Sequence, residues 1–417
     1  MKKLFFYYSV GLLFILLALM PLSACTAPDA EAEFEAEAVS KTEVFITGYL
    51  GKSNKITIPN SLGGKTVTGI GTEAFLGCEA SAILLPDSVT VISENAFADC
   101  VKLSGIDLPN SVSRIGSGAF VGCLELAAVR LPATLTGIEE SVFSGCIKLA
   151  EIEFPAALSE IGQAAFFGCE ALKAFRVDPG NTTFADEDGV LFDREKTTLI
   201  GYPNGKSESY EIPEFATVIG NGAFAGCLGL TAVEIPASVV KIGEVAFAEC
   251  PALAQVTLPA SLRELGDGAF LGCLALTEMV LPNSLTEMGE SVFSLCIALN
   301  SVTLPASIET VPRWTFSDCA SLSSVTLPGT VSVIDEGAFS RCPLEEVELP
   351  EGLTLIGSGA FEATALESVV IPPAVLKIEE RAFSDCVRLG SVTLTSSSTS
   401  VMEGAFDEGT DISLDEG

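Results

Sequence analysis

The chain has no histidine in 417 residues, one tryptophan and five tyrosines, and only 22 lysines and arginines against 55 aspartates and glutamates. Without imidazole there is no Ser-His-Asp or Cys-His dyad, no histidine acid or base near neutral pH and no histidine metal ligand. The formal charge is −33. Lys2 and Lys3 are the only charged residues among the first 24, so the remainder carries 20 bases against 55 acids, or −35. A surface this acidic repels nucleic acid, which is therefore not expected as a partner, and it gains nothing from docking on anionic lipid. Basic proteins, cationic peptides and neutral glycans stay open as ligands. What is abundant is apolar: 48% of residues are hydrophobic, enough for a large core.

The chain opens with Lys2-Lys3, an apolar run "LFFYYSVGLLFILLALMPL", and then "LSAC" at 22–25. A charged start, an apolar stretch and small residues read as a secretory signal over 1–24. "LSAC" resembles the bacterial lipobox. That resemblance implies a lipid on Cys25 as the first mature residue, and an extracytoplasmic protein held to the membrane through it; a plain cleaved signal or an uncleaved anchor is the other reading. Residues 25–41, "CTAPDAEAEFEAEAVSK", alternate alanine and acid with little to bury and read as an acidic tether.

From there one pattern dominates. "IGSGAFVGC" (115–123) returns as "IGQAAFFGC", "IGNGAFAGC" and "LGDGAFLGC". Its phenylalanine falls at 75, 97, 120, 143 and 166, then at 224, 247, 270, 293, 316, 339, 361, 383 and 406. The beat is 22 or 23 residues, with one jump of 58. One unit reads L-x-x-V-x-L-P-x-x-V-x-x-I-x-x-x-A-F-x-x-C. In "LSGIDLP" (103–109) the alternation predicts a short strand with Ile106 and Leu108 inward, closed by a proline that donates no amide. "SVSRIG" is a second extended piece with Val112 and Ile115 inward, and "GSGAFVGC" is expected to turn the corner as a helical turn. One unit cannot cover its own apolar side, so the units must stack into a solenoid. Fourteen turns at the spacing of paired strands would extend about 65 Å.

The L-x-x-V-x-L-P and I-G-x-x-A-F-x-x-C segments resemble the BspA-like leucine-rich repeat of bacterial and some protist surface proteins, over roughly residues 43–406. The resemblance implies a mainly β, right-handed solenoid of about 14 repeats, a parallel sheet on its concave side and a binding or adhesion role at the cell surface. The chain is then divided into an N-terminal cap (42–71), a first repeat block (72–170), a β-hairpin insert (171–212), a second block (213–406) and an acidic tail (407–417), which reads as frayed or as an atypical last cap. The insert is marked by the turn signals "DPGN", "DEDG" and "PNG". "DEDG" does not fit a calcium-binding loop, because Phe184 would fall at its first ligand position. Asn181-Thr182-Thr183 matches a glycosylation sequon and is taken as chance in a protein with a lipobox.

Twelve of the thirteen cysteines, Cys78, Cys100, Cys123, Cys146, Cys169, Cys227, Cys250, Cys273, Cys296, Cys319, Cys342 and Cys386, each follow a motif phenylalanine by three residues. Thr364 and Gly409 take that place in two units, so the position demands a small side chain. Three readings stay open: a column of buried free thiols acting as compact hydrophobes, disulfides between adjacent turns, or a metal ladder, which the lack of any C-x-x-C pair disfavours. Neither metal nor cofactor is expected.

Function is expected on the outward residues of the concave strands: Asp107, Glu151, Glu153, Glu211, Glu234, Glu278, Thr303, Thr326, Glu346 and Glu348. They would offer an extended face to a protein ligand, with a single copy as the acting unit; a glycan or cell-wall module is the alternative, and a purely structural spacer a third. Glu151/Glu153 and Glu346/Glu348 are the candidates for catalysis: their alternate positions on a strand place the carboxylates about 6.6 Å apart, within the spacing of an inverting glycosidase pair. Such a pair needs one carboxyl in a dry cleft. An open sheet offers none, so no enzyme is expected.

Overall fold

The computed structural model describes residues 31–206 and 208–415. Strands form a continuous coil, and the described residues contain no α-helix, only a 3-10 turn at Glu31–Glu33. Each coil is bounded by three hydrogen-bonded walls, visible in a single unit. The first wall is the strand Gly105–Asp107, paired in parallel with Ala128–Arg130. Leu103, Ile106 and Leu108 are buried, and Asp107 points out. Pro109 then opens a β-turn in which its carbonyl accepts the amide of Val112 at 3.0 Å. The same proline-to-third-residue bond recurs at Pro86, Pro132, Pro155, Pro236, Pro259 and onward.

The second wall is the two-residue strand Arg114–Ile115, parallel to Val91–Ile92. Gly116 follows it because the preceding coil passes too close for any side chain. A Cβ there would lie 2.6 Å from the Glu94 amide nitrogen.

The third wall corrects the expected helical turn. The A-F-x-x-C corner is a run of β-turns in which every fourth residue is left-handed, such as Gly118 (φ 63°) and Gly122 (φ 69°). This alternation aims the amides of Gly118, Phe120 and Gly122 along the solenoid axis, onto the carbonyls of Glu140, Val142 and Ser144 at 2.8–2.9 Å. A helix would spend those amides within its own coil; here they join one coil to the next.

Inside the walls, side chains stack in columns. Phe97, Phe120 and Phe143 lie 5.3 and 5.6 Å apart, with planes within 8° of parallel. A second column runs from Tyr202 through Phe224 to Phe406. Ten of the eleven buried thiols donate to a carbonyl of the preceding coil: Cys123 Sγ to Phe97 at 3.2 Å, Cys169 to Phe143 at 3.2 Å and Cys296 to Phe270 at 3.1 Å. All twelve repeat cysteines are free thiols, and only Cys78 is not fully buried. At Cys169 and Cys296, burial pushes the thiol from an ordinary value of 9.0 up to about 12. A third column consists of hydroxyls: Ser111 donates to Val89 O, Ser238 to Ala216 O, Ser261 to Val239 O and Ser307 to Leu285 O, at 2.6–2.8 Å.

The coil makes about sixteen turns. Two lie beyond the fourteen phenylalanine units. One is the final strand Asp411–Leu414, parallel to Ser391–Leu394, inside the stretch read as a frayed tail. The other is the insert. Its first strand, Ala174–Val177, pairs with Glu151–Phe154 of the first block, and Ser209–Glu211 after it pairs with Ala232–Glu234 of the second, with no ladder assigned between the two among the described residues. Between them Phe184–Glu187 and Val190–Asp193 form the expected hairpin, and Thr198–Gly201 returns to the short-strand wall beside Val218–Ile219. Tyr202 takes the phenylalanine position, stacking on Phe224 at 5.0 Å.

The tether expected over 25–41 is also corrected. Phe34–Ala38 pairs antiparallel with Glu43–Tyr49, because Phe34 is buried against Tyr49 with ring centres 5.2 Å apart. Cys25 and the signal segment lie outside the described residues.

Candidate binding surface

The ten candidate residues sit where the strand alternation places them. Asp107, Glu151, Glu153, Glu211, Glu234, Glu278, Thr303, Thr326, Glu346 and Glu348 are all exposed, while their neighbours Ile106, Ile152, Val233, Met279 and Val302 are buried. They do not converge into one pocket. They form rows, one residue per coil. Glu211 faces Glu234, which faces Thr257, in register; Glu278 faces Ser301, and Thr303 faces Thr326. Glu346 and Glu348 lie on a stretch with no assigned strand, so the ladder lapses there. Glu151 is ion-paired to Arg176 at 3.4 Å. Glu211 and Glu234 lie side by side with no ion-pair partner among the described residues, an arrangement that opposes folding.

Neither carboxylate pair weighed for catalysis is enclosed, since Glu151, Glu153, Glu346 and Glu348 all stand on open surface. The motif phenylalanines are committed to the interior columns. Trp314 is half-buried and lies over Gly337 of the next coil, and Phe215 is an exposed ring.

A second concavity was missed in the sequence. On the short-strand wall a groove of about 830 Å³ spans the coils from Lys241 to Asp335. Its lining includes Glu244, Glu264, Asp267, Glu287, Glu290 and Glu309, with Lys241 the one base. Lys241, Glu264 and Glu287 are adjacent in register, and Lys241 pairs with Glu264 at 2.7 Å. The signal was present in the residue before each I-G pair and the one after it, both outward. Among the described residues no cluster of cysteines and carboxylates could hold a metal ion.

Parallel strands, proline turns and a repeated inward set define the leucine-rich repeat class of solenoid. The chain belongs to the BspA type leucine-rich repeat family, whose repeat region matches residues 50–187, 202–323 and 315–414 in six copies. The chain is similar to a leucine-rich cell surface protein from Faecalibacterium prausnitzii: 26% identity, 71% of this chain and 93% of that one covered, TM-score 0.53. It is similar also to a leucine-rich repeat protein from Bacteroides ovatus, at 28% identity over 92% and 98% of the two chains, TM-score 0.55. The pneumococcal vaccine antigen PcpA shares the fold, at 23% identity over 91% and 96%, TM-score 0.62. Among curated proteins there is no significant match.

Proposed function

We propose that the protein is an extracytoplasmic binding module, anchored through a lipid on Cys25, that captures a protein ligand with a basic surface. The observation that carries this reading is the Glu211–Glu234 juxtaposition: like charges one strand apart, exposed, unpaired and without structural duty. A fold keeps such a pair at a cost of some tenths of a kcal/mol, and a lysine or arginine from a partner reverses that cost. The acidic groove on the short-strand wall supports the same sign of partner. Membership of a repeat family represented by a cell surface protein supports the location. Nucleic acid is disfavoured as a ligand by charge, and the module acts as a single copy.

The test is surface capture of the soluble protein from Thr26 onward, which keeps the Phe34 strand, against a panel of extracellular proteins and a glycan array. The expected outcome is saturable binding to a basic protein, weakened at least tenfold by the double change Glu211→Lys, Glu234→Lys and weakened by salt. Binding to an oligosaccharide alone, or binding indifferent to the double change, overturns the reading. Fatty-acid labelling that persists in Cys25→Ser would refute the anchor.

A further inference from the structure

The corner wall is broken at one place. In the coil before it, Ser141, Phe143 and Gly145 donate their amides to Gln163, Ala165 and Phe167. In the second block, Gly222, Phe224 and Gly226 donate to Glu244, Ala246 and Ala248. The corner at Phe166 should do the same through Ala164, Phe166 and Gly168, yet these three amides meet no acceptor among the described residues. The reason is the insert. Its corner is reduced to Tyr202-Pro203-Asn204, which engages the coil ahead through the Tyr202 amide to Ala223 O (2.7 Å) and Asn204 Nδ2 to Gly226 O (2.8 Å), and turns no matching carbonyls backward.

The gap is a notch of about 610 Å³. Phe166, Phe167, Tyr202 and Ala225 line it. Phe166 is only half-buried, whereas Phe143 and Phe224 on either side are fully buried. Phe167 reaches across to lie over Gly226, where a Cβ would come within 2.8 Å of its ring. Glu140, Glu244 and Glu249 stand in the lining, and no lysine or arginine does.

We propose that this notch takes a short extended segment of a partner protein, basic in its flanks and carrying one apolar side chain. The partner's main-chain carbonyls complete the interrupted ladder on Ala164, Phe166 and Gly168, as a strand adds to an open edge. Its apolar side chain rests on Phe166 and Phe167, and its lysines or arginines meet the three glutamates. The volume falls in the range of ordinary ligand pockets. A carboxylate would also answer three amides, but the surrounding glutamates repel it. The inference goes beyond the sheet-face reading and does not depend on it, for the notch lies on a different wall.

The probe is a pool of acetylated, amidated octapeptides with a fixed central phenylalanine or leucine and lysine-rich flanks, set against the same pool with glutamate-rich flanks. The lysine pool is expected to bind saturably to the protein from Thr26 onward, and to raise amide-exchange protection at Ala164, Phe166 and Gly168. Ala225→Phe, which fills the notch, weakens that binding at least tenfold, while Glu211→Lys with Glu234→Lys leaves it unchanged. Equal binding of the glutamate pool, full binding by Ala225→Phe, or no new protection at the three amides of the wild-type protein overturns the proposal. The exchange readout on wild type stands even if Ala225→Phe fails to fold.

Discussion

Raising the pH should dismantle this solenoid through its thiols. Cys146, Cys169, Cys273 and Cys296 are held in the protonated form chiefly by burial, and Cys169 and Cys296 titrate only at about 12. In the unfolded chain the same thiols ionise near 9. A group bound more tightly to its proton in the fold lends its full stability below the unfolded value and loses it as pH climbs toward the folded one. Between those limits each thiol costs about 1.4 kcal/mol per pH unit. By pH 10.5 Cys169 and Cys296 have each withdrawn about 2 kcal/mol, together about 4 kcal/mol, a large share of the stability of an ordinary domain, and Cys146 and Cys273 act in the same direction.

The assay is the urea midpoint from pH 7 to 10.5 in reducing buffer, for wild type and for Cys169→Ala with Cys296→Ala. The double variant starts less stable at pH 7, since each change removes a hydrogen bond to a phenylalanine carbonyl worth about 1 kcal/mol. Its stability should then fall less steeply, by about 2.7 kcal/mol per pH unit between pH 9.5 and 10.5, because two protons fewer leave on unfolding. Lysines and surface charge titrate alike in both proteins and cancel in the comparison. Parallel pH profiles for the two proteins would refute the argument.

Other outcomes follow from single contacts. A thiol reagent at pH 8 should modify only Cys78 among the repeat cysteines of the folded protein and all twelve after denaturation; faster reaction at Cys146 or Cys296 would contradict the buried column. Phe293→Ala, in a fully buried ring stacked on Phe270 (5.7 Å) and Phe316 (5.6 Å), should cost about 4–6 kcal/mol by urea denaturation. Phe406→Ala, half-buried and stacked on one neighbour, should cost no more than about half as much. Asn181 is 1% exposed and makes four hydrogen bonds, two to Pro155 O and Leu158 O and two from the Thr183 and Phe184 amides. Asn181→Ala should therefore cost at least about 3 kcal/mol, and the site should resist glycosylation in a eukaryotic host. Val245 is β-branched at φ 46°; Val245→Asn should raise stability by up to about 1 kcal/mol, read as a higher urea midpoint.

The architecture was legible because it is written in volume and period. A phenylalanine every 22 or 23 residues, each with a small residue three positions on, admits little but stacked coils, and the strands fell where V-x-L-P placed them. The corner was misread because its left-handed residues are often not glycine. Ser141, Leu295 and Trp314 all adopt positive φ, held there by the ladder rather than by intrinsic preference. The thiols were read as hydrophobes because nothing in A-F-x-x-C reveals that the sulfur reaches a carbonyl one coil back. Phe34 was lost in a run of alanine and glutamate, where one aromatic is the entire signal that the segment can be buried. The exposed rows were legible residue by residue; the notch was not, since it consists of hydrogen bonds that the neighbouring corners make and this one does not.

That asymmetry bears on where function can reside in such a chain. In a solenoid each coil satisfies its neighbours, so the repeated residues are committed and a site must arise from outward positions or from a break in the repeat. The outward positions vary at little cost to the fold, which suits recognition spread over a broad acidic face. The insert acts differently. It pairs with the first block through Ala174–Val177 and with the second through Thr198–Gly201 and Ser209–Glu211. Among the described residues no strand pairing is assigned across it between Glu160–Ile161 and Thr198–Gly201 or between Ala174–Val177 and Ser209–Glu211, and at the corner it leaves three aligned donors beside half-buried aromatic rings. Deleting 184–197 while restoring a full A-F-x-x-C corner at Tyr202 should close the third wall, raise exchange protection at Ala164, Phe166 and Gly168 without any ligand, and abolish capture of the lysine-flanked peptides. If those amides are already protected in the wild-type protein, the break is not open and the notch has no donors to offer.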